Sequence, residues 1–170
     1  MIEDLRKFIK KNMIKEKKSH RFFKFKALFT VQEELDFNSD HTFYKENPNL
    51  EEFINEKDKY NSFQTLLFKM IDERNLKDSD VYNKVHIDRR LFSKIRNKDY
   101  HPSKETIILL GLSLKLNEKE IIELLNSASY TLPKNNYYDL IIRFCFINKI
   151  YELSKVNELL DEYNCKLFNY

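Results

Sequence analysis

One glycine, three prolines and no tryptophan occur in 170 residues. β-Sandwiches and Rossmann-type sheets depend on glycine-rich turns, so the composition argues against both. A single glycine also leaves no room for a Gly-rich phosphate loop, and no nucleophile elbow is present. The two cysteines, Cys145 and Cys165, have neither metal-ligand spacing nor a neighbouring histidine, and read as reduced core thiols. His20, His41, His86 and His101 are scattered singly, which suits surface or turn residues better than ligands. Adjacent carboxylates such as Glu33 and Glu34, Glu51 and Glu52, or Asp161 and Glu162 diverge on a helix and read as solvated charge. No enzyme, cofactor or metal is therefore expected. No run of eighteen apolar residues exists, and residues 1–18 lack the apolar centre of a secretion signal, so the expectation is a cytoplasmic protein without a membrane partner.

What is abundant points to helices. Leu, Ile, Lys, Glu and Asn dominate, which fits a mainly α fold, although a Lys- and Asn-rich chain also follows from an AT-rich genome. The length suffices for one core, or for a domain with an appendage. A formal charge of +3 hides blocks of opposite sign. Residues 1–30 hold ten basic and three acidic side chains, while residues 31–61 hold three basic and nine acidic. Between Lys84 and Lys104 seven basic side chains (Lys84, Arg89, Arg90, Lys94, Arg96, Lys98, Lys104) face only Asp88 and Asp99, the best footprint for a polyanion.

Ile2, Leu5, Phe8, Ile9 and Met13 recur at helical steps between lysines, which predicts a basic amphipathic helix. Its Lys face reads first as solvated surface, with nucleic acid, an anionic membrane or a partner as the functional alternatives. Residues 21–31 fit a short strand or a continued helix, and their aromatics can form core or stack single-stranded bases. Residues 32–48 are polar and rich in breakers, a linker. The expected division is therefore 1–48, with basic helix, aromatic segment and acidic linker, and 49–170, a helical domain.

In that second part Asn49 caps a short helix over 50–56, and Phe63, Leu66, Leu67, Met70 and Ile71 mark a main helix over 61–74. Ser103 caps a helix with Ile107, Leu110, Gly111 and Leu114 inward. Gly111 inside that helix costs about 1 kcal/mol relative to alanine, for which close helix approach is the compensation. Asn117 with Glu120 forms a capping box ahead of Ile121, Ile122, Leu124 and Leu125. Asn136 caps a helix that is apolar nearly all round, and Ser154 caps a last one. Leu140, Ile141, Phe144 and Ile147 suit packing onto the preceding helices or, alternatively, a homodimer seam.

Residues 78–102 organise the rest. Val81, Tyr82 and Val85 set the face of a short helix over 78–85, His86 and Ile87 make a turn, and Asp88 caps a second, basic helix. Phe92 and Ile95 face inward, leaving Arg89, Arg90, Ser93, Lys94 and Asn97 outward. This is the pattern of a helix-turn-helix.

On those residues, with Leu76 before the first of the two helices and Ile95 closing the second, the chain resembles the Cro/phage-repressor (XRE-like) helix-turn-helix domain. Residues from Leu50 to the C-terminus are also similar to a bacterial helix-turn-helix module often appended to unrelated domains such as macro domains. The resemblance implies five helices with two extra C-terminal helices and an N-terminal arm. It implies Arg89 and Arg90 as base-reading side chains with Lys94 one turn on, and Lys98, Tyr100, His101 and Lys104 at phosphates. Duplex DNA is then the expected partner, in transcriptional control, with a homodimer as the usual assembly. Asp78 and Asp80 depart from the family by placing carboxylates where phosphate lies. His86 replaces the usual turn glycine and has to adopt a left-handed conformation. Leu91, expected exposed beside Arg90, opens the alternative of an adaptor or antitoxin-like subunit in phage defence, gripping a protein or ribonucleoprotein. A further expectation is that acidic residues 31–61 cover the basic stretch.

Overall fold

A computed structural model of the chain describes residues 1–14 and 62–169, in which eight helices and no strand are found. They are α1 (Ile2–Asn12), α2 (Phe63–Glu73), α3 (Asp78–Lys84), α4 (Arg89–Ile95), α5 (Lys104–Ser113), α6 (Glu118–Ser127), α7 (Tyr137–Ile147) and α8 (Leu153–Asp161). The mainly α reading is correct for these residues. The strand or helix at 21–31, the linker at 32–48, the helix at 50–56 and the acidic cover all lie outside the described residues.

The helix starts follow local side-chain chemistry. Ser62, Asp88, Ser103, Asn117 and Asn136 each accept from a backbone N–H of the first turn, satisfying donors that have no partner within the helix. Asn117 and Glu120 close the expected capping box. Ser154 is not a cap: α8 starts at Leu153, after Glu152, two residues before a Ser154 cap would place it, and the Ser154 hydroxyl donates to the Glu152 carboxylate instead.

Six helix ends share one device. Asn75, His86, Lys115, Ser129, Lys149 and Asn164 have φ between 51° and 60°. In each case the next residue's N–H bonds five residues back, as in Leu76 to Ile71, Ile87 to Tyr82 and Leu116 to Gly111. These are Schellman ends, in which the left-handed residue is normally glycine. A chain whose only glycine is used elsewhere makes all six with side chains that tolerate the conformation at a cost.

Helices α5 and α7 are buried over most of their surfaces and hold the centre. Helix α6 packs against α2, α5 and α7; α3 lies against α4 and α5; α8 lies against α7. Gly111 marks the point where α5, α6 and α7 meet, because a Cβ there would come 2.6 Å from Ile121 Cδ1 and 3.1 Å from Phe146 Cζ. Helix α1 belongs to this same core: Leu5 and Ile9 are buried, Phe8 packs on Phe144 at 5.4 Å, and Arg6 pairs with Glu162. Residues 1–14 cluster with residues 62–169. Leu140, Ile141 and Phe144 are covered within the chain, and only Ile147 of the proposed seam is exposed. No helix among the described residues is long and apolar enough to cross a membrane.

Candidate nucleic-acid interface

The site is built on α4, and its orientation is set by one ring. Phe92 is buried between Phe68 of α2, edge-on at 6.2 Å, and Tyr82 of α3 at 5.4 Å. With Phe92 and Ile95 fixed inward, the helical rotation confines Arg89, Arg90, Ser93, Lys94 and Asn97 to about 140° of the opposite face. All five are exposed, as is Lys98 just beyond the helix. The Asp88 carboxylate accepts from the N–H groups of Arg90 (2.7 Å) and Leu91 (3.3 Å), so the first turn of α4 is held where both arginines leave it.

The structure sorts the seven basic side chains of this stretch into two sets. Arg96 pairs with Asp78 of α3 and its guanidinium lies 4.4 Å from the Phe68 ring centre. Lys104 pairs with Asp139, whose side chain is 5% exposed and also accepts from the Asn136 amide. The Lys84 ammonium donates to the Ser113 carbonyl at 3.0 Å. Arg89, Arg90, Lys94 and Lys98 make no hydrogen bond or ion pair among the described residues.

Lys104 was expected at phosphate, and its pairing with a buried carboxylate ties it instead to the start of α7. His101 is likewise engaged. Its Nε2 lies 2.9 Å from the Ala128 carbonyl, to which it donates, and its Nδ1 lies 3.4 Å from the Tyr130 hydroxyl. Tyr100 is half-buried against the core. Leu91 is half-buried too, since the helix turns it towards the edge of the apolar side rather than onto the outer face. His86 does take the left-handed conformation its position demands, at φ 55°. Asp78, feared as a repulsive carboxylate, is neutralised by Arg96, while Asp80 stays exposed. A shallow groove of about 640 Å³ runs between the start of α3 and the Arg89 and Ser93 side of α4.

One residue that the sequence reading passed over shapes the loop after α4. Gln64 of α2 is 8% exposed and its amide donates to the carbonyls of Asn97 (3.2 Å) and Tyr100 (2.9 Å). The signal was present, because Gln64 is a polar residue on the stripe that continues through Leu67 and Ile71. The Asn97 side chain in turn accepts from the Asp99 N–H at 3.1 Å, closing a local turn that presents Lys98.

The buried Cys145 thiol is pushed up to about 12 by burial, far from a reactive thiolate. Among the described residues no three His, Cys, Asp or Glu side chains converge as metal ligands. Compared with protein-family models, curated proteins and solved structures, the chain matches none.

Proposed function

We propose that the chain is a non-enzymatic helix-turn-helix protein that binds nucleic acid, with α3 and α4 as the two helices of the motif and α4 as the recognition helix. Duplex DNA is the favoured ligand and transcriptional regulation the favoured role. Arg89 and Arg90 read base edges, for which an arginine fork on guanine O6 and N7 is the commonest contact. Lys94 and Lys98 neutralise phosphates, and Ser93 and Asn97 add uncharged donors and acceptors between them.

One observation carries the reading. Within a stretch where three cations are held by carboxylates or a carbonyl, the four without a partner among the described residues all project from one short helix and the loop after it. A protein-binding role would draw on Leu91, but a half-buried leucine offers little apolar area for an interface.

The test is titration of labelled random duplex DNA, and separately single-stranded RNA, with the wild-type chain and an Arg89→Ala/Arg90→Ala variant. Duplex binding that the variant loses supports the reading. Absence of binding to either polymer at low salt overturns it, and equal binding by the variant moves the site away from α4.

A further inference from the structure

At the end of α3 remote from that groove lies a second concave surface of about 580 Å³, where α3, α5 and α7 end and α8 begins. Its floor is Ile150, Tyr151 and Leu153, and its rim carries Lys84, Lys115, Lys149 and Lys155 with the Met1 ammonium. Glu152 is the one carboxylate in this lining, and it is already held by Lys155 at 2.7 Å and by the Ser154 hydroxyl. The Met1 ammonium is held by Asp4 at 3.1 Å. Lys84, Lys115 and Lys149 therefore line the groove without a carboxylate partner among the described residues, the Lys84 ammonium donating to the Ser113 carbonyl at 3.0 Å. Crowding them has a cost: burial and the neighbouring Lys115 charge hold Lys84 below the usual lysine range. Lysines near helix C-termini partly complement the dipoles there, but three such ends supply only fractional charges against three full ones.

We propose that this groove is a binding site for a phosphate-bearing anion, with the lysines holding adjacent phosphate groups and the Ile150 and Tyr151 floor beneath the remainder of the ligand. Two sources share that chemistry, a small phosphorylated molecule and the backbone of a bound nucleic acid. Lysine suits the task as a mobile point charge that meets tetrahedral phosphate from several directions. The site is separate from the α4 face and its test does not depend on the function proposed for that face.

The test uses the full chain with inorganic pyrophosphate as probe, read by calorimetric titration and by the unfolding midpoint. Lys115 and Lys149 occupy left-handed positions, so both are replaced by asparagine, which tolerates that conformation and removes the charge. Pyrophosphate at about a hundred times its dissociation constant is expected to raise the wild-type midpoint by on the order of 5–10 °C. In Lys115→Asn/Lys149→Asn the affinity should fall about tenfold or more, the loss expected for a charged hydrogen bond. The Arg89→Ala/Arg90→Ala variant should bind pyrophosphate as the wild type does. A random DNA duplex added as competitor distinguishes the sources: displacement of pyrophosphate assigns the groove to nucleic-acid phosphates, and joint binding assigns it to a small molecule. No binding at low salt, or binding undiminished in the asparagine variant, overturns the proposal.

Discussion

Replacing Lys104 by methionine separates structure from recognition at the point where sequence alone merged them. Methionine keeps most of the apolar stem and removes the ammonium, leaving the Asp139 carboxylate, 5% exposed, with only the Asn136 side-chain amide at 2.7 Å and its place at the start of α7. Removing one partner of a buried pair costs about 3–5 kcal/mol. Here the lysine side chain is 23% exposed, so water reaches the pair and about 2–3 kcal/mol is the better figure. For a chain of this size that is a fall of roughly 5–10 °C in the unfolding midpoint. Urea unfolding of the full chain, read by helical circular dichroism, measures it. The second substitution Asp139→Leu in the same chain should restore about half of the loss, because it removes the stranded carboxylate but also its favourable position at the start of α7. Nucleic-acid affinity, measured below the variant's unfolding midpoint, should stay within about twofold of wild type, a difference under 0.5 kcal/mol. A stability loss below about 0.5 kcal/mol would refute the buried-pair argument. A folded Lys104→Met protein whose DNA binding falls as far as that of Lys94→Ala would return Lys104 to the interface.

Other perturbations follow from the same geometry. Gly111→Ala gains about 1 kcal/mol of helix propensity but drives a Cβ to 2.6 Å from Ile121 Cδ1 and 3.1 Å from Phe146 Cζ, so a net loss of about 0–2 kcal/mol in urea unfolding is expected, and a net gain would refute the close approach. Ser129→Gly, at an exposed left-handed helix end with φ 60°, should stabilise by about 0.5–1 kcal/mol once backbone strain is weighed against added freedom of the unfolded chain. Gln64→Leu removes the side-chain donor from the Asn97 and Tyr100 carbonyls, of which Asn97 keeps the Tyr100 N–H at 3.0 Å; hydrogen exchange should accelerate in the loop after α4, and DNA affinity should fall although no contact residue has changed. Cys145, raised to about 12 by burial, should resist iodoacetamide at pH 8 until the chain unfolds, while half-buried Cys165 is alkylated first, as peptide mass spectrometry would report.

The parts of the fold legible in the sequence were those set by neighbours in the chain. Asp88, Ser103, Asn117 with Glu120, and Asn136 cap helices through bonds to residues two or three positions away, so spacing and residue type suffice. Gly111 was legible as a close approach because its helix offers no other reason for a glycine. Ser154 misled because a serine in a first turn resembles a cap, while the extended backbone at Glu152 starts the helix without side-chain help. The left-handed ends after α5 and α7 carried no glycine signal, since lysine fills both. At the candidate site the outward face of α4 followed from Phe92 and Ile95, but the use of each cation did not. Arg96 finds Asp78 across 18 residues, Lys104 finds Asp139 across 35, and Gln64 reaches Asn97 across 33. Such pairs depend on how helices dock, which periodicity within one helix does not encode.

The most direct measurement of the central proposal is the salt dependence of duplex DNA binding, with the observed association constant followed against sodium chloride for wild type and Lys94→Ala/Lys98→Ala. If Lys94 and Lys98 each neutralise a phosphate, the log–log slope should be shallower by about 1.8 in the variant than in the wild type. A slope near zero, or one that the substitutions leave unchanged, would contradict a nucleic-acid interface on α4.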